Sequence, residues 1–101
     1  MSDLNAALAA IWERSRPLVR ERLETVEAAA SALQAGTLDD AARQEGVRAS
    51  HQLAGSLGTF GMVEGTEVAR ALEGELGGGP DPARVAELSA RLRALLEPRL
   101  G

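Results

Sequence analysis

A chain of 101 residues is long enough for one domain with a single modest core and too short for two. Its formal charge of -4 argues against a nucleic-acid partner, which needs a basic surface stripe, and the absence of cysteine excludes a disulfide framework and thiolate chemistry. Alanine, leucine, glutamate and arginine dominate while aromatics are nearly absent, and every basic residue is arginine, a composition that favours an all-α domain.

The apolar positions fall into five helical segments. Asp3 is placed to cap a short first helix with Leu4, Leu8, Ile11 and Trp12 on one stripe, and Pro17 marks its end or a kink. Val19, Leu23, Val26, Ala30 and Leu33 continue as a second helix that Gly36 is suited to stop. Thr37 is read as the cap of a third helix, with Asp39 and Asp40 in its first turn and Leu38, Ala42, Ala49, Leu53 and Leu57 on its apolar line. Gly58-Thr59-Phe60-Gly61 breaks the chain before a fourth helix carrying Met62, Ala69, Leu72 and Leu76. After the loop Gly77-Gly78-Gly79-Pro80, the pair Asp81-Pro82 opens a last helix with Val85, Leu88, Leu92 and Leu95, which ends before Pro98. The expected architecture is an all-α antiparallel up-and-down four-helix bundle with an additional short N-terminal helix. Residues 1–101 read as a single domain, whether alone or as part of a longer signalling protein. No apolar stretch approaches the roughly 20 residues that span a bilayer, and no signal peptide opens the chain, so a cytoplasmic location is expected.

The single histidine, His51, stands out because glycines interrupt the helical pattern beside it, at a cost of roughly 1 kcal/mol each relative to alanine. At about 100° per residue, a core face centred between Ala49 and Leu53 leaves His51 projecting outward. Gln44, Val47, Arg48, Ala54, Gly55 and Gly58 share that outer side at helical spacings. The glycines give the imidazole a bare surface C-terminal to it. Gly46 falls on the core side and reads as a close-packing glycine, whereas Gly55 and Gly58 do not.

Other chemistries lack their residues. One histidine without cysteine leaves only carboxylates to complete a zinc site. Ser50 and Ser56 stand at offsets that do not stack a hydroxyl over the His51 ring, which removes a hydrolytic triad. The glycines near residue 78 have neither the lysine nor the strand context of a nucleotide-binding loop, so kinase chemistry is not expected.

The run His51-Gln52-Leu53-Ala54-Gly55-Ser56, followed by Gly61 and a further amphipathic helix, resembles the signature of histidine-containing phosphotransfer (HPt) domains of bacterial two-component phosphorelays. The family pattern is roughly His-x-Leu-Lys-Gly-Ser, and this chain departs from it with Ala54 in place of the lysine. The resemblance implies an exposed histidine midway along a helix of a four-helix bundle. It also implies a glycine four residues later that clears room for the receiver domain of a response regulator.

The function implied by the resemblance is that of a phosphoryl carrier and not an enzyme. His51 would accept and donate a phosphoryl group in exchange with the aspartate of a receiver domain, and Mg²⁺ would come with that receiver, with no cofactor bound by this chain. Arg48 would stabilise phosphate charge, Gln44 would hydrogen-bond nearby, Gly55 would give clearance, and Val47, Ala54, Gly58 and Met62 would offer apolar contact. The partners implied are a response-regulator receiver and a sensor histidine kinase or hybrid kinase, with no nucleic acid and no membrane. Two alternatives stand beside this reading: a degenerate HPt-like module that docks on a receiver or kinase without being phosphorylated, and a plain helical interaction or dimerisation module.

Overall fold

Among residues 2–101, which the computed structural model describes, the regular structure is helical throughout: α1 (Ser2–Ala35), α2 (Asp40–Thr59), α3 (Val63–Gly77) and α4 (Pro82–Leu100). Each helix packs on two others, α1 on α2 and α4, and α3 on α2 and α4, so the four form a closed ring without diagonal contacts. The connections are short, which forces consecutive helices to run antiparallel. The core is built from leucine and valine at helical spacing. Leu23 and Val26 of α1, Leu53 and Leu57 of α2, Leu72 and Leu76 of α3, and Leu92 and Leu96 of α4 are all fully buried.

The expected extra N-terminal helix is absent, because α1 is one helix of 34 residues that runs through Pro17. Proline has no N–H to give to the carbonyl of Glu13 and costs about 3 kcal/mol inside a helix. Trp12 before it and Val19 after it are both buried in the same core, and each large apolar side chain so buried is worth about 1.5–3 kcal/mol. Packing on both sides of the proline therefore keeps the two halves in line. Trp12 donates its indole N–H to the carbonyl of Arg99 at 3.0 Å, meets Phe60 edge-on with ring centroids 5.0 Å apart, and lies under the Arg99 guanidinium at 4.7 Å.

The same contacts extend the other end. α4 passes through Pro98 to Leu100, which is buried, and Arg20 of α1 donates to the Leu100 carbonyl. The buried position in the last stripe is Leu96, with Leu95 half-buried. Arg93 of α4 grips Glu27 of α1 with two hydrogen bonds of 2.8 and 2.7 Å, and this pairing holds its guanidinium pKa above the usual arginine value.

Helix ends follow local chemistry with two shifts from expectation. Asp3 lies in the first turn of α1 and does not precede it. Asp39, and not Thr37, caps α2, its carboxylate accepting from the Ala42 N–H at 2.7 Å, while Thr37 donates its hydroxyl back to the Ala32 carbonyl. Gly36 and Gly61 take left-handed conformations, φ +72° and +70°, that stop α1 and α2. In each case the glycine N–H and the next N–H reach back to two carbonyls of the last turn, Leu33 and Ala32 in one and Gly58 and Leu57 in the other. The second of these turns reverses the chain so that α3 lies along α2.

Candidate functional site

The middle of α2 is fixed by small residues. Gly46 is buried where α1, α2 and α3 meet: a Cβ on it would stand 3.0 Å from the Ala29 Cβ and 3.2 Å from a Leu76 methyl. One turn later Ser50, fully buried, donates its hydroxyl to the Gly46 carbonyl at 2.8 Å. Ala49, Leu53 and Ala54 pack into the core around it. His51 is thereby turned outward, with 72% of its side chain exposed.

The imidazole is not left to rotate freely. Its Nδ1 lies 3.0 Å from a carboxylate oxygen of Glu73 on α3. A carboxylate can only accept, so Nδ1 carries the proton of this hydrogen bond and the lone pair of the neutral ring belongs to Nε2.

Between α2 and α3 runs an open concavity of about 780 Å³ that includes this pair. Val47, His51, Ala54 and Gly55 form its α2 side; Arg70, Glu73, Gly74 and Gly77 form its α3 side. A Cβ on Gly55 or Gly74 would meet nothing within 4 Å, so on both helices the surface beside the imidazole is backbone open to an approaching partner. Among the described residues no helix is long and apolar enough to cross a membrane.

The residues expected around His51 divide. Val47, Ala54 and Gly55 line the concavity with it, although Ala54 is buried and not on the exposed surface, because its Cβ is turned toward the core. Arg48 falls on the opposite flank, beside Leu18, Arg22 and Gln52, and pairs with Glu45 one turn back. Gln44 is exposed and donates to Asp40 at 3.0 Å. Gly58 lies in the last turn of α2, 3.9 Å from the Thr66 hydroxyl at its Cβ position, and Met62 precedes α3, half-buried against the core. None of these four lines the concavity. The serines are also committed elsewhere, Ser50 to the Gly46 carbonyl and Ser56 as acceptor from Arg22 at 3.2 Å.

Glu73 and Arg70 were not foreseen. They belong to another helix, and helical phase on α2 does not reach them. The signal that finds them is the turn at Gly61: folding α3 back along α2 about that point brings residues 70 to 73 level with His51.

No curated protein and no solved structure matches the chain. The family model of the Hpt domain matches residues 10–98. That span holds α2, α3, all but the end of α4 and all but the first turns of α1, so the chain belongs to the Hpt domain family, whose helical bundles carry phosphoryl groups in two-component signalling.

Proposed function

We propose that this domain is a phosphorelay carrier whose phosphoryl acceptor is His51, exchanging with the aspartyl phosphate of a response-regulator receiver domain. The observation that carries the reading is the His51–Glu73 hydrogen bond at an exposed ring: it holds the proton on Nδ1 and leaves Nε2 as the nucleophile.

In the forward step the Nε2 lone pair attacks phosphorus, the N–P bond forms, and the bond from phosphorus to the acyl oxygen breaks to release the receiver's aspartate. The ring becomes cationic with its Nδ1–H still donated to the Glu73 carboxylate, whose negative charge stabilises it. No proton has to leave, so the reverse transfer needs only a second carboxylate in line. Phosphoryl transfer asks mainly for positioning and charge stabilisation, and the receiver would bring the aspartate and Mg²⁺. This chain supplies an oriented imidazole and a surface stripped of side chains at Gly55 and Gly74.

A panel of phosphorylated receiver domains is the test. Acid-labile label should appear on the wild type and be lost from His51→Gln. Ala54, uncharged beside the imidazole, favours one second reading, a docking module that is not phosphorylated. Receivers that bind but transfer nothing would select it.

A further inference from the structure

We propose that Arg70 is the phosphoryl-binding residue of this domain: its guanidinium, projecting from α3, neutralises the dianion carried on Nε2 of His51. The inference rests on the carrier reading and identifies where its positive charge comes from.

The arginines can be sorted by what already occupies them. Arg16, Arg43, Arg48, Arg84, Arg91 and Arg93 each pair with a carboxylate within 4.0 Å. Arg20 donates to the Leu100 carbonyl, Arg22 to the Ser56 hydroxyl, and Arg99 covers the Trp12 ring. Among the described residues this leaves Arg14 and Arg70. Arg14 is exposed on the N-terminal half of α1, outside the concavity. Arg70 is exposed and lines the concavity that holds His51.

The neighbourhood makes a cation necessary there. Glu73, one turn from Arg70 on the same helix, does not pair with it, because its carboxylate is turned to His51 Nδ1. A phosphoryl group on Nε2 would bring about two negative charges beside that carboxylate. The rest of the lining is Val47, Ala54 and glycine, which offer no charge. A guanidinium presents a rigid fork of donors that matches phosphate oxygens, and a free one needs no ion pair broken before it engages. Arg48 faces the other flank and would have to leave Glu45.

The test can be run without a protein partner. Wild type, Arg70→Ala, Arg70→Lys, Arg48→Ala and Arg14→Ala are phosphorylated with phosphoramidate, a small donor that gives its phosphoryl group to imidazole nitrogen and releases ammonia. Phosphorus NMR then follows the protonation of the phosphohistidine, and transfer to a receiver is timed separately from receiver binding. Arg70→Ala should raise the phosphoryl pKa by roughly half a unit or more, since loss of an adjacent cation disfavours the dianion. It should slow transfer by about tenfold or more with receiver affinity changed far less. Arg70→Lys should recover part of both, and Arg14→Ala should match wild type. Arg70→Ala indistinguishable from wild type, or a shift seen with Arg48→Ala alone, would overturn the assignment while leaving the carrier reading intact. A wild-type chain that takes label on His51 from neither phosphoramidate nor any receiver would overturn both.

Discussion

Glu73 and His51 meet across the α2–α3 pair at 3.0 Å although 22 residues separate them in the chain. The contact ties ring orientation to the relative placement of two helices, and it is the only hydrogen bond in which the imidazole takes part among the described residues.

Glu73→Ala should therefore slow phosphoryl transfer by about 10- to 100-fold, the range expected when a nucleophile loses its positioning partner. Glu73→Gln keeps an acceptor for Nδ1 without the charge and should lose less. Neither change should cost more than about 1 kcal/mol of stability, because the pair is solvent-exposed. Single-turnover transfer beside thermal melting separates the two effects; a stability loss equal to the rate loss would mean Glu73 holds the fold and not the ring.

The two glycines that flank His51 should respond to alanine in opposite directions. At Gly55 an added methyl meets nothing, so Gly55→Ala should stabilise the bundle by about 1 kcal/mol through helix propensity while weakening receiver docking. Binding and melting curves on one sample check this. Tight binding retained by the variant would show that partners do not use this surface.

At Gly46 the same methyl would press on the Ala29 Cβ, which cannot rotate away, and on Leu76. Gly46→Ala should destabilise by about 1–3 kcal/mol, the cost of overpacking a close helix crossing. Chemical denaturation gives the value, and an unchanged midpoint would contradict the tight crossing.

Trp12 is the sole tryptophan, so its fluorescence reports unfolding directly. Trp12→Ala, followed by circular dichroism, should cost about 3–5 kcal/mol as a large buried aromatic is lost. Trp12→Phe should cost less, since the Arg99 carbonyl loses one donor and the ring contact with Phe60 is largely kept.

Much of this was legible in the chain because it depends on local phase. The outward direction of His51, the buried Gly46 and the stop at Gly36 follow from spacing on one helix and from the backbone freedom of glycine. Pro17 misleads for the converse reason: its local penalty is real, but the burial of Trp12 against residues at the far end of the chain overrides it. The α2 cap moved from Thr37 to Asp39 because both side chains are competent and only the path of the turn decides. Arg70 and Glu73 depend on how α3 lies against α2, which no stripe on either helix encodes. Arg48 was close in phase to His51, and only the position of α1 shows that it faces the wrong side.

The concavity beside His51 has a consequence for traffic through the domain. One nucleophile opening onto one groove admits a single guest, so a donor and an acceptor that both read this face must visit in turn. On the carrier reading, exchange runs as an alternation without a three-protein assembly, and a surplus of either visitor obstructs the other. Steady-state kinetics with two receivers would display that mutual exclusion, and the phosphorylation levels of the two visitors, acting through a reversible transfer, would set which way the phosphoryl group travels.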